Sequence, residues 1–311
     1  MTDRLTLQFA HRSLSLGRCG SLCLPIRCRF QIQIPFAVSP LCSGSSGLVF
    51  RSNLRQLSPI SASLDRGMSN SMVNEAEPKE LRDESDFEAV CFSDEYISIC
   101  GFGSLLSERS ARSTFPELVN FRVARLHGFR RVFANVAPVF FERGIAKPET
   151  KEISSLCAEP CEGETIIISV FEIKKSEIPA FIHREIEFRF LAVLPERLDG
   201  MLYDKPAVLC SRSTDEEFFQ VRCKGNKDIY FQHYGRHNID KIWRDDILPC
   251  RVYLRHCVLA AKNLGDEAYN NFLDHTFLGD RSTTIRDYLA ANGSGIMEEE
   301  PPESLKFRYG G

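Results

Sequence analysis

Nine consecutive residues, Thr165-Ile166-Ile167-Ile168-Ser169-Val170-Phe171-Glu172-Ile173, constrain the fold more than any other stretch. β-Branched and aromatic side chains fit a pleated backbone, so the run predicts a strand. Its apolar residues do not alternate with polar ones, so both faces of that strand have to be covered. The strand is therefore either buried between layers or a stave of a barrel. Ile153–Ala158 predicts a second strand, which leads into the first through a Glu159-Pro160-Cys161-Glu162-Gly163 turn.

A shorter strand, Tyr96-Ile97-Ser98-Ile99-Cys100, runs into Gly101-Phe102-Gly103-Ser104-Leu105-Leu106, with a helix starting near Ser107. Glycine frees the backbone and lets it approach a ligand. Such a turn can aim amide N–H groups at an oxyanion or a carboxylate. Three familiar motifs are excluded here. A dinucleotide fingerprint needs a third glycine where Leu106 stands. A phosphate loop needs a following Lys-Ser/Thr pair. A nucleophile elbow needs glycines where Phe102 and Leu106 flank Ser104. The alternative is a plain strand-to-helix turn.

Further along, strands are expected over Asn120–Leu126 and Phe129–Phe133, on either side of a turn at His127-Gly128. Arg130 and Arg131 read as a solvated face or as partners for a substrate carboxylate. Residues 138–152 read as an exposed loop. Lys175–Glu185 reads as a short helix capped by Ser176, followed by a strand over Ile186–Val193. On that strand Glu187 shares a face with Glu185. Residues 211–246 are charged but carry aromatics, and read as an insertion with short helices that serves as a lid, a partner surface or ordinary packing. Helices follow near Leu248–Leu264, closed by Gly265, near Glu267–Leu278, and after a cap at Ser282 or Thr283. Residues 292–311 read as a disordered tail.

Composition divides the chain. Residues 1–64 hold one acid, seven arginines, no lysine and eleven serines. That matches an organelle transit peptide, chloroplast first and mitochondrion second, against a disordered extension with no address. Met68 would give a cytoplasmic form if it served as an internal start. Residues 65–91 read as a polar linker, with the domain running over 92–291. Beyond the leader, 32 basic face 41 acidic side chains, a net of −9. This disfavours nucleic acid and anionic membranes as partners. Most of the eight cysteines after the leader sit in apolar runs, as free buried thiols do. Cys157 and Cys161 form one close pair in an expected loop, without a second pair to complete a metal site.

Gly101-Phe102-Gly103-Ser104-Leu105-Leu106 resembles the Tyr-Gly-Ser-Leu turn of the γ-glutamylcyclotransferase superfamily, particularly its ChaC-like branch, with Phe102 at the tyrosine position. His127-Gly128-Phe129-Arg130-Arg131-Val132-Phe133 is similar to the family's Gly-aromatic-x-Arg-x-Phe strand. Phe181-Ile182-His183-Arg184-Glu185 resembles its Leu-Asp-x-Arg-Glu element, and Pro249–Leu254 its Pro-x-x-x-Tyr-Leu helix. With the leader, the resemblance is to an organelle-targeted, plant-type member. It implies an α+β fold, a small mixed barrel-like sheet with helices around it. It also implies release of 5-oxoproline from glutathione or another γ-glutamyl compound. Glu185 would be the catalytic acid/base, and Phe102, Gly103, Ser104 and Leu105 would hold the γ-glutamyl group.

That chemistry suits a small site. The substrate's own α-amine attacks its own γ-carbonyl, so the reaction requires no enzyme nucleophile, metal or cofactor. It needs a base, an acid and donors for the oxyanion. Three alternatives stand beside it. One is a catalytically silent binding or regulatory protein of the same fold. Another is a γ-glutamyl amine or amide lyase with a larger substrate. The third is a serine hydrolase using Ser104 with one of His127, His183, His233, His237, His256 or His275.

Overall fold

The computed structural model describes residues 78–91 and 95–311. The leader 1–64, Met68 and Phe92 lie outside the described residues. Two long strands organise the sheet. β3 (Val119–Val136) and β4 (Glu152–Lys174) pair antiparallel along nearly their whole length, and both bend. Each expected pair of strands is thus one continuous strand. Gly128 and Gly163, with φ of +76° and +81°, lie at the bends, where a side chain would be strained. Residues 166–173 of β4 are all buried, as their unalternating apolar run requires.

The sheet is mixed. Its order is β1 (Lys79–Leu81), β5 (Arg189–Val193), β7 (Ala207–Ser211), β2 (Tyr96–Gly101), β4, β3 and β6 (Glu196–Arg197). β8 (Leu248–Pro249) adds to β4, and β9 (Thr276–Leu278) to β3. β7 lies parallel to β2 at Val208 and to β4 at Ser211, so the sheet curls around its middle. The helices are α1 (Glu84–Ala89), α2 (Glu108–Arg112), α3 (Pro138–Glu142), α4 (Ile178–Arg184), α5 (Asp215–Glu217), α6 (Lys227–His233), α7 (Arg251–Asn263), α8 (Asp266–Asp274), α9 (Ile285–Glu298) and α10 (Lys306–Tyr309). The result is the expected α+β architecture. Among the described residues no helix is long and apolar enough to cross a membrane.

Several expectations need correction. Part of the supposed linker 65–91 is folded: β1 pairs with β5, and Asp83 caps α1. An edge strand is held by main-chain bonds and needs no apolar period. Leu81 and Phe87, each 1% exposed, are enough to anchor it. The supposed tail 292–311 is also built in. α9 continues through Gly293, and Tyr309 of α10 is 2% exposed. The acidic run that suggested disorder is neutralised from α7 and its surroundings. Glu299 pairs with Lys147 and Arg251, and Glu300 with Arg255.

Residues 138–152 contain α3 rather than a bare loop. Cys157 and Cys161 lie on β4, not in a loop, and burial pushes the Cys157 thiol up to about 12. Ser176 falls inside a 3₁₀ turn, Lys175–Glu177, that precedes α4. β5 begins only at Arg189, so Glu185, Ile186 and Glu187 form a turn. The last capped helix starts after Thr284, not Ser282 or Thr283.

Candidate active site

The glycine turn ends β2 and continues as one 3₁₀ turn, Ser104–Leu106. It is fixed from below by buried groups. Ser169, one of two polar breaks in the apolar run of β4, donates its hydroxyl to Leu105 O at 2.8 Å. Arg131 is fully buried. Its Nε donates to Phe102 O at 2.9 Å, and its other nitrogens reach Ile167 O and Asn271. Arg131 is thus neither a solvated strand residue nor a substrate ligand: it pins the turn. A long alternating strand gave no sign that one of its two adjacent arginines would point inward.

α7 closes the other side. The Tyr253 hydroxyl meets the Ser104 amide. His256 Nε2 contacts Ser104 O at 3.3 Å, and burial pulls its pKa down to about 4. The neutral ring therefore donates from Nε2. It binds the serine's carbonyl rather than Oγ, so no Ser104–His256 nucleophile pair exists. The glycines are required by space, not by positive φ. A Cβ on Gly103 would stand 2.5 Å from Tyr253 Oη, and one on Gly101 2.4 Å from Ser169 Oγ.

The turn and the carboxylates of the α4–β5 connection line one cavity of about 600 Å³, so Phe102, Gly103, Ser104 and Leu105 share a space with Glu185 and Glu187. Glu185 accepts from Arg184 Nε at 2.7 Å. Glu187 differs. Its residue is half-buried, but its carboxyl is withdrawn from water, and this desolvation together with the nearby Glu185 charge pushes it up to about 7. Hydrogen bonds from Tyr234 and Asn135 oppose the shift. Burial and the Glu187 charge raise Tyr234 well above its usual range, so it stays a donor. Cys100 and Cys210 also line the cavity, but burial raises both thiols and neither is a thiolate nucleophile.

Tyr234 comes from the insertion. There α5 runs into a π-helical turn, Phe218–Arg222, and Phe218 packs edge-on against Tyr234 with ring centres 5.2 Å apart. Phe218, Tyr234 and Trp243 are buried, so the insertion is packed structure that also supplies one wall of the site. No spacing in the sequence marked Tyr234 or Asn135 as neighbours of the carboxylates.

No family model matches the chain, and no curated protein matches it. Solved structures do. One titled "Gamma-glutamyl cyclotransferase" aligns with TM-score 0.31 and 16% identity over 49% of this chain and 90% of that one. An uncharacterized protein from Homo sapiens aligns with TM-score 0.31 and 17% identity over the same shares. A solution structure from Arabidopsis thaliana aligns with TM-score 0.29 and 15% identity, over 44% of this chain and 87% of that one. At these scores the likenesses assign no residue roles.

Proposed function

We propose that the protein is a γ-glutamylcyclotransferase, cleaving a γ-glutamyl amide by intramolecular attack of the substrate's α-amine and releasing 5-oxoproline. The observation that carries this reading is the shared cavity: a turn able to present amides, and two carboxylates in unlike environments. Two such groups provide a base and an acid at one pH. Glu185 takes the proton from the α-ammonium. The amine then adds to the γ-carbonyl, the ring nitrogen gives its second proton to solvent, and the amides of Gly103 and Leu105 stabilise the oxyanion. Glu187, about half protonated near neutral pH, gives its proton to the departing amine as the C–N bond breaks. Phe102 turns its carbonyl toward Arg131 and packs with the core, so it sets the turn's shape and offers no hydroxyl.

The test is 5-oxoproline release from glutathione and a panel of γ-glutamyl amino acids and amines. Glu185→Gln and Glu187→Gln are each expected to lower kcat by about 100-fold or more. In the native protein kcat/KM should fall as pH rises through about 7, because Glu187 loses its proton there. Glu187→Gln should lack that limb. Release unaffected by either substitution would move the chemistry elsewhere. Binding without release from any substrate would favour the silent module.

A further inference from the structure

Among the described residues, three of the side chains that line the cavity carry a buried polar atom without a partner: Arg184 at Nη1, Arg308 at Nε and Asn135 at Oδ1. The two arginine atoms are donors, and Asn135 Oδ1 is the acceptor. Asn135 is only 1% exposed, and a buried acceptor that no donor fills is a cost to the fold.

The backbone decides where this side chain sits. The pairing of β3 with β4 shifts register between Phe133 and Asn135, and such an irregularity re-aims a side chain. The main chain at Asn135 is then held on both sides, by Ser155 of β4 and by a bridge to Trp243 of the insertion. One end of the side-chain amide hydrogen-bonds Glu187. An ionised carboxylate can only accept, so that end is the Nδ2 donor. Oδ1 is the other corner of the same amide. It is therefore an unfilled acceptor beside the carboxyl assigned to protonate the departing nitrogen.

A γ-glutamyl amide brings two nitrogens to the reacting carbon. The α-ammonium gives its proton to Glu185. The scissile nitrogen meets Glu187 and carries one hydrogen of its own. With that N–H held by Oδ1, the lone pair that develops as the carbonyl carbon becomes tetrahedral is turned toward the Glu187 proton. We infer that Asn135 determines specificity at the scissile bond: Oδ1 accepts the scissile N–H, so the site takes γ-glutamyl amides of primary amines and rejects those of secondary amines, whose amide nitrogen bears no hydrogen. This rests on the reading of the cavity as a γ-glutamyl site with Glu187 beside the departing nitrogen.

The experiment compares γ-glutamyl-glycine with γ-glutamyl-sarcosine, which has a methyl group in place of that hydrogen, on the full-length protein. γ-Glutamyl-alanine, with its extra methyl on carbon, controls for bulk. 5-Oxoproline release gives kcat and KM, and calorimetry gives Kd. An acceptor left unfilled predicts a preference of about 10- to 100-fold for the glycine over the sarcosine compound in kcat/KM, with the alanine compound within about threefold of glycine. Asn135→Ala removes the acceptor and should bring the glycine-to-sarcosine ratio to within about threefold of one, through loss on the glycine compound. Asn135→Asp keeps an acceptor and should retain most of the ratio, while its added charge moves the alkaline limb set by Glu187 to higher pH for both compounds. The native comparison requires no variant, and thermal melting identifies any variant that fails to fold. Equal kcat/KM and Kd of the native protein for the glycine and sarcosine compounds overturn the inference and leave Oδ1 to a bound water. So does an equal loss on the alanine compound, or a ratio that collapses in Asn135→Ala through gain on the sarcosine compound, since either would make Asn135 a steric wall. A glycine preference in Kd without release of 5-oxoproline would support the acceptor while removing the proposed reaction, so the two claims can fail separately.

Discussion

The two halves of the cavity are built in opposite ways. The glycine turn is held from three sides by buried groups: Arg131 on β3, Ser169 on β4, and Tyr253 and His256 on α7. Its shape follows from packing, and little about it can change. The Glu185–Glu187 segment is a short turn between α4 and β5, and its character comes from charges and from Tyr234 of the insertion. One half is overdetermined and stabilises the fold. The other keeps an unfavourable charge withdrawn from water. A site that needs fixed donors and a carboxyl titrating near neutrality calls for both kinds of construction.

Breaking the rigid half should have the largest effect. Arg131→Met removes the donors to Phe102 O and Ile167 O and leaves both carbonyls buried. Two orphaned acceptors predict a loss of roughly 2–4 kcal/mol, partly offset because burial disfavours the Arg131 cation that the variant removes, read by chemical denaturation. A loss under about 1 kcal/mol would mean that the turn is held without Arg131.

A smaller and more specific break is Gly103→Ala. Its Cβ would meet Tyr253 Oη at 2.5 Å, so overpacking should cost about 1–3 kcal/mol. The pairing with Tyr253→Phe sharpens the comparison. Removing the hydroxyl removes the obstacle, and the double variant should recover part of the loss in a double-mutant cycle. Additive losses would mean that Gly103 is required for a reason other than that contact.

The sequence was most informative where physics is local. The unalternating run Thr165–Ile173 marked the doubly covered strand, and the two glycines marked the turn at the end of β2. Glu185, and Glu187 read as sharing its face, both came from a short stretch beside one helix, and the structure brings both to the cavity. Long-range partners left no local trace. Arg131 looks like Arg130 in sequence, yet Arg130 pairs with Glu159 while Arg131 is buried under the turn. Tyr234 lies within the stretch read as an insertion, whose charges and aromatics left lid, partner surface and ordinary packing all open. The C-terminal acids suggested disorder because the arginines of α7 that neutralise them lie some 45 residues away.

The subtlest test targets the soft half and has the opposite sign. Glu187 is held at about 7 in the folded protein against an ordinary value of 4.5. Below 4.5 the carboxyl is protonated in both states, and its burial carries no charge penalty. As pH rises from 4.5 to 7 the unfolded chain ionises first, so stability falls across that window and then levels off. Glu187→Gln removes the ionisation. It should therefore be more stable than the native protein by about 1–2 kcal/mol at pH 8, after allowance for partial solvent screening, and nearly equal to it at pH 4.5. Melting temperatures of the two proteins across that range decide the matter. A variant that is stabler at pH 8 and also inactive would show Glu187 kept against the interest of the fold, as a working carboxyl should be. A variant that is destabilised at pH 8 would make Glu187 a structural partner of Tyr234 and Asn135, and would leave Glu185 as the group to carry both proton transfers.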